Sequence, residues 1–328
     1  MKRAQKTTRK SLDRKLLYAV ILVTIVLAAL LAFYYLYLQS LGEEWTAAIV
    51  DQLAVEASLF NPEFKDTSTQ LLTSSGFEVA YYSGEDVTIH FYEELPSKGK
   101  KILLVRAHSA VRSNTTNVDL FTSEIYEESL AYGAYADLVV NKHISRASFN
   151  IPPYRKYFAI GPSFVSSVVR GSFADGLIVL MGCNSLNQTS MAEALIGRGA
   201  EVVVGWTGNV TVNDTDHNVL KLLELLLDKS YTVQGAVVEV NQNYPLNGTK
   251  LNYFPEEAGS HVIPTRKDVA SLTLSQKVFP LFAFAYAVCW RGTEFMGAAA
   301  EYARAKATAL SLVPSLYSSS WLRPREGY

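Results

Sequence analysis

Apolar positions along the chain fall into short runs separated by polar turns, and the runs alternate between two spacings. Leu177 to Met181 is an apolar run too short for a helix and bounded by Gly176 and Gly182. It predicts a strand buried on both faces. After Cys183 and the polar turn NSLNQTS, residues Met191, Ala194, Leu195 and Ile196 give a helical face that closes at Gly197 and Gly199. EVVVGW then predicts a second buried strand, completing a βαβ unit from Gly176 to Trp206.

The same reading extends in both directions. FEVAYYS (77–83) predicts a strand, DVTIHFYEELP (86–96) a short helix ending at Pro96, and KILLVRAHSA (101–110) a buried strand with a polar end. VDLFTSE (118–124) reads as an edge strand or hairpin, EESLAYGAYADLVV as a helix, and YFAIGPSFVSSVVR as a strand followed by a helix opening near Pro162. NDTDHNVLKLLELLLDKS and TVQGAVVEVNQNY predict two helices, the first capped by Asp214 or Thr215, and LNYFP (251–255) a last short strand. Strands alternating with helices at this spacing define an α/β fold with a largely parallel sheet.

Two flanking regions differ. EEWTAAIVDQLAVEASLF places Trp45, Ile49, Leu53 and Ala54 on one helical face and ends at Asn61-Pro62, which predicts a helical stalk. Residues 16–38 are 23 positions without a charge. As a helix they would run roughly 34 Å, enough to cross a bilayer core. Tyr34, Tyr35 and Tyr37 cluster at the far end, where aromatic rings favour the interface. The expected organisation is therefore a basic segment (1–15), a transmembrane anchor (16–38), a helical stalk (39–75), an α/β domain (76–265) and a helical C-terminal tail (266–328). A cleaved signal peptide is the alternative to the anchor, but no small-x-small site follows in LQSLGEEW. In the tail, the 13-residue run VFPLFAFAYAVCW is short for a span and contains Pro280; a membrane-skimming segment is the alternative to a helix that covers the domain.

Charge sharpens this picture. The net charge of −1 hides an asymmetry: residues 1–15 hold seven Lys/Arg against one Asp, while the remainder holds 23 Lys/Arg against 30 Asp/Glu. The basic block is expected to stay in the cytoplasm, placing everything after residue 38 outside the cell. An acidic body lacks the basic face that nucleic-acid binding requires. Five Asn-x-Ser/Thr sequons, at Asn114, Asn187, Asn209, Asn213 and Asn247, all lie on the expected outer side.

Reactive side chains stand at two strand ends, His108 after LLVRA and Cys183 after IVLMG. If both strands share one parallel sheet, imidazole and thiol meet at its carboxyl edge, where α/β chemistry collects. A neighbouring His can activate a thiol or protonate a departing amine, and the backbone N–H groups that follow can hold an oxyanion. The plainer readings are a Cys that is a small buried hydrophobe, or one that pairs with Cys289 in a disulfide, and a His that only bonds its turn. His90, His143, His217 and His261 form no metal-ligand spacing with each other or with Cys, and no HExxH, GxSxG or GxxxxGK[ST] pattern occurs. No cofactor is expected.

The stretch from Phe77 to about Pro255 resembles the caspase-like cysteine peptidases of clan CD, which include caspases, gingipains, separases and the CHAT-domain proteins. The likeness rests on a hydrophobic strand ending in His108, a later strand ending in Gly182-Cys183, the run MAEALIGRGAEVVVGWTG after the cysteine, and GEDVT…FYEELP ahead of the His strand. The resemblance implies a three-layer caspase-haemoglobinase-like sandwich, with His108 as proton donor and orienting base and Cys183 as nucleophile. It further implies an oxyanion hole from the backbone N–H groups of Ser109 and Cys183; Ser109 stands where the family usually has Gly and keeps that N–H. The strand after the nucleophile and its loop would line the primary pocket, making Trp206, Asp214 and Asp216 candidates for recognising a basic residue, although Asp214 as a helix cap and Asp216 as a solvated first-turn acid are the plainer readings. The expectation is a single-pass, outward-facing cysteine endopeptidase acting on a peptide or protein substrate. A non-catalytic surface module for partner binding, and an acyltransferase or transpeptidase with the same dyad, are the alternatives.

Overall fold

The structure, a computed structural model, describes residues 45–98, 101–113, 115–149, 154–173, 175–229 and 231–266, together with Thr24 and Ala28. All but those last two belong to one unit, Glu44–Ser271. It is an α/β unit with a mixed, mostly parallel sheet. The predicted anchor (16–38), the basic segment before it and the tail beyond Arg266 lie outside the described residues, apart from Thr24 and Ala28, which are helical. Among the described residues no helix is long and apolar enough to cross a membrane.

The main sheet is built from β1 (Thr46–Asp51), β2 (Glu78–Ser83), β3 (Ile102–Arg106), β8 (Gly176–Leu180), β9 (Ala200–Trp206) and β10 (Leu251–Phe254), in the order β10-β9-β8-β3-β1-β2. Five strands run parallel, and β10 pairs antiparallel with β9 at one edge. A second, wholly antiparallel sheet joins β4 (Ser109–Val111), β5 (Val118–Ile125), β6 (Ile144–Ser148) and β7 (Lys156–Ile160) in the order β4-β5-β7-β6.

Strand alternation divides the interior into two cores. Ile49, Leu104, Val179 and Val204 face α1 (Pro62–Ser74), α7 (Val212–Leu227) and α8 (Val233–Asn243), meeting Phe64, Leu72, Leu222, Leu226 and Val240. Val50, Val105, Ile178 and Val203 face the other way, onto α2 (Ile89–Glu93), α5 (Pro162–Ser167), α6 (Ser190–Gly197) and one side of the second sheet. The opposite side of that sheet carries a smaller aromatic cluster of Phe121, Phe149 and Tyr157.

Several sequence expectations change. The helical stalk is replaced at 46–51 by β1, a central strand hydrogen-bonded to β2 and β3. A strand buried on both faces is apolar without alternation, so the i, i+4 spacing of Trp45 and Ile49 mimicked a helix. The α/β unit thus begins near Trp45 and not at 76. Asn61-Pro62 opens a helix where it was expected to close one: the Asn61 side chain accepts from the Phe64 N–H and Pro62 occupies the first turn, where its missing N–H costs nothing. The helix expected over EESLAYGAYADLVV is two short pieces, α3 (Glu128–Ala131) and α4 (Ala136–Val140); at the break a Cβ on Gly133 would stand 2.5 Å from the Ser129 carbonyl oxygen. The cap of α7 is Thr211, whose hydroxyl accepts from the Asp214 N–H, in place of Asp214 or Thr215. VDLFTSE does form a hairpin with β4, but lies inside the second sheet, paired on its other side with β7.

Since β1 sits mid-sheet, Ile49→Ala should lower the unfolding free energy of the full chain by about 2–5 kcal/mol, the range for a fully buried aliphatic truncation. Urea denaturation reads this directly. A change within about 0.5 kcal/mol, the usual effect of a surface substitution, would restore the stalk reading.

Candidate active site

β3 and β8 are hydrogen-bonded neighbours running the same way, with Val105 opposite Leu180. The Met181 N–H donates to the Val105 carbonyl, so the pairing continues past the strand ends. Past these ends the segment 107–109 lies against Gly182 and Cys183. The approach is close: a Cβ on Gly182 would stand 2.6 Å from the Ala107 carbonyl oxygen and collide with Ser109 Oγ. Only glycine fits there. Ser109 Oγ donates to the Cys183 carbonyl at 2.5 Å, fastening the two strand ends together.

The backbone around His108 is tightly specified. Its N–H donates to Gln52 Oε1 (3.0 Å), and its carbonyl accepts from the Phe121 N–H (2.9 Å). Gln52 is itself buried and donates to the Thr122 carbonyl. The imidazole lies against the third cluster, with ring centroids 4.3 Å from Phe149 and 5.8 Å from Phe121. Its Nε2 is sealed from solvent without a hydrogen-bond partner. Burial, helped by the positive charge of Arg106, lowers the His108 pKa from 6.5 to about 4. The ring is therefore neutral at pH 7.

Cys183 is a half-buried free thiol. Its Sγ donates to the Val210 carbonyl (3.3 Å) and accepts from the Val210 N–H (3.4 Å), in the loop after β9. Asn184, in the left-handed region at φ 56°, donates its side-chain amide to Asn209 Oδ1 of the same loop. Among the described residues no hydrogen bond or ring contact joins the His108 side chain to that of Cys183. The fold brings the two segments that carry these residues together, while each side chain is engaged elsewhere.

Among the described residues, the two N–H groups expected to hold an oxyanion have no acceptor. Phe121 donating to the His108 carbonyl makes Ser109 the non-hydrogen-bonded position of the β4–β5 pair, so its N–H points away from β5. Among the described residues no acceptor takes the N–H of Cys183.

The three pocket candidates fare differently. Trp206 is 1% exposed, and its Nε1 donates to Thr215 Oγ1 inside the core, so its side chain lines no pocket. Asp216 is 3% exposed and spent in an ion pair. Both side chains, expected to line the primary pocket, are instead buried: Asp216 on the inward face of α7 and Trp206 at the end of β9. Asp214 is half-buried and accepts from the Thr211 hydroxyl at 2.6 Å, within the first turn of the helix.

What Asp216 does is a feature the sequence reading missed. Arg106, the last residue of β3, is 0% exposed. Its Nε and Nη2 donate to both oxygens of Asp216, its Nη1 to Asp51 at the end of β1, and its Nη2 also to the Leu59 carbonyl. Asn61 donates to Asp216, and the Tyr81 hydroxyl to Asp51. Burial opposes the guanidinium charge, but the Asp216 hydrogen bonds and the field of Asp51 outweigh it and raise the Arg106 pKa. The available signal was a charged residue closing each of two apolar runs, Asp51 after TAAIV and Arg106 after ILLV; Asp216, within the polar run NDTDHN, gave none.

Beside this network a cleft of about 460 Å³ is lined by Phe60, Asn61, Arg106, Thr211 and Asn213, among others, but not by Cys183 or His108. Among the described residues no group of three or more His, Cys, Asp or Glu is placed to hold a metal ion. No family model matches the chain, and no curated protein matches it.

Replacing Arg106 alone strands two buried carboxylates, so Arg106→Met should cost about 3–5 kcal/mol of stability in urea titrations. Combining it with Asp51→Asn and Asp216→Asn should recover part of that loss. For His108 the folded pKa lies below the unfolded value, so the unfolded chain binds the extra proton and stability falls as pH drops from 6.5 towards about 4. His108→Phe should flatten that portion of the stability–pH curve, as measured by melts across the window; an unchanged slope would mean that the ring is not held neutral by burial.

Proposed function

We propose that the chain is a membrane-anchored, outward-facing cysteine endopeptidase of the caspase-like, clan CD type, its α/β unit a three-layer caspase-haemoglobinase-like sandwich. One observation carries the reading: the adjacent parallel strands β3 and β8 lead, just past their ends, into His108 and Cys183, where Gly182-Cys183 lies against Ala107 and Ser109, and among the described residues the N–H groups of Ser109 and Cys183 have no acceptor. The basic segment and the uncharged stretch over 16–38 support the anchor and its orientation.

In this reading a peptide carbonyl oxygen sits against those two N–H groups. Cys183 Sγ leaves its Val210 partners and attacks the carbonyl carbon, and its proton passes to the neutral imidazole. With Nε2 sealed, Nδ1 is the nitrogen that exchanges protons with substrate. Collapse of the tetrahedral species breaks the C–N bond as His108 protonates the departing amine, leaving a thioester on Cys183. Water, deprotonated by His108, then releases the acid and restores the thiol.

A non-catalytic surface module is the second reading, favoured by the bonding of Sγ to Val210 in place of His108. An acyltransferase or transpeptidase would use the same thioester and an amine in place of water, which product analysis with added amine distinguishes.

An acyloxymethyl-ketone probe panel should label the wild-type full chain and not Cys183→Ala. Iodoacetamide should modify Cys183 well before Cys289, and His108→Ala should lower kcat/KM by about 10²–10⁴-fold, the usual worth of a positioned acid–base group. Slow labelling of both cysteines at equal rates would favour the binding module.

A further inference from the structure

The sequons acquire a place once the chain is folded. Four of the five fall among the described residues, and Asn187, Asn209, Asn213 and Asn247 are all exposed. All four stand at the sheet edge where β8 and β9 end and β10 begins, the edge that carries Cys183. Asn187 closes the turn after the cysteine, donating its backbone N–H to the Asn184 carbonyl. Asn209 precedes Val210, the residue that holds the Cys183 sulfur. Asn213 lines the cleft beside Arg106. Asn247 lies in the turn before Lys250, whose carbonyl accepts the Thr207 N–H in the loop after β9.

The chemistry of Asn209 fits attachment. Its side chain uses Oδ1 to accept from Asn184, and no acceptor among the described residues takes its Nδ2, the atom to which a glycan is joined. The third sequon residues are Thr189, Thr211, Thr215 and Thr249. Thr215 is buried, with its hydroxyl bonded to the Trp206 indole and the Met181 carbonyl, so transfer to Asn213 has to precede closure of α7.

We propose that Asn187, Asn209, Asn213 and Asn247 carry N-linked glycans that ring the carboxyl edge around Cys183 and restrict access to slender, extended peptide segments. In each transfer Nδ2 attacks the anomeric carbon of an oligosaccharide carried on a polyprenyl phosphate or pyrophosphate. The new C–N bond forms as the C–O bond to the carrier breaks, the carrier leaves with that electron pair, and Nδ2 gives up one proton. The proposal rests on the outward orientation and the Cys183 site proposed above. It adds a steric filter: folded proteins are held off by sugar, while a single strand of peptide reaches the thiol.

The full chain, isolated from its own membranes, decides this by peptide mass spectrometry before and after an amidase that removes N-glycans and converts the bearing Asn to Asp. Glycopeptides at the four positions are expected; four unmodified peptides overturn the proposal. A glycan on Asn114 alone would leave the outward orientation intact while removing the ring. Five bare sequons together with no labelling of intact cells by a membrane-impermeant amine reagent would remove the orientation as well. For the filter, Cys183 is read by its own peptide after exposure to iodoacetamide or to a maleimide bearing a polyethylene glycol chain of several kilodaltons. The native form should lose labelling by the bulky reagent only, and the amidase should restore it. Equal bulky labelling of both forms overturns the filter, whereas silence of Cys183 to both reagents in both forms counts against the peptidase and leaves the glycans to be decided by the peptide masses.

Discussion

A guanidinium held in the interior between two carboxylates is the constraint on which the rest of the site depends. Asp51, Arg106 and Asp216 come from the ends of two strands and the start of a long helix, and each sits next to a segment that the proposed chemistry uses. Asp51 leads into Gln52, which fixes the His108 backbone; Arg106 is two residues before His108; Asp216 anchors the helix whose cap follows Val210. Taking such charges out of water costs several kcal/mol per ion, so a hydrocarbon trio could be as stable. What hydrocarbon lacks is direction. Hydrogen bonds from Arg106 to both oxygens of Asp216 fix the angle of α7 against the sheet edge.

The same network acts on the electrostatics of the proposed base. Arg106 places positive charge near a ring already desolvated by Phe121 and Phe149, and both effects favour the neutral imidazole. A neutral ring is suited to accepting a thiol proton in passing and less suited to forming a standing ion pair. That agrees with a thiol bonded to Val210 at rest and with no side-chain bond between the two residues. The aromatic cluster belongs to the antiparallel sheet, so that sheet serves the site as a wall against the imidazole.

Close contact between neighbouring strand ends completes the arrangement. Gly182 lets the backbone approach Ala107, Ser109 uses its hydroxyl to hold the Cys183 carbonyl, and the β4–β5 pairing leaves the Ser109 N–H facing away from β5. The loops beyond are tied to each other by Asn184 and Asn209 and to the sheet by Ser185, whose hydroxyl donates to the Leu180 carbonyl and accepts from the Trp206 N–H. A site mounted this way takes its position from rigid strands and its variable surface from loops, and it is those loops that carry the four exposed sequons.

The sequence by itself determined the elements whose patterns are local. β2, β3, β8 and β9, α6 and α8, and the βαβ unit from Gly176 to Trp206 follow from apolar runs and turn residues that need no distant partner to be recognised. It also placed His108 and Cys183 at strand ends, since a polar residue after a buried run marks where the strand leaves the core. Which strands become neighbours was decided only in three dimensions. β1 has the apolar spacing of a helix, and only pairing with β2 and β3 on both sides makes it a strand. Asp216 and Trp206 look available in a linear reading, and only the rotation of α7 and the twist of β9 turn them inward, to Arg106 and to Thr215. Local order is written in nearest neighbours along the chain, whereas burial of a side chain is set by whatever surface arrives from elsewhere.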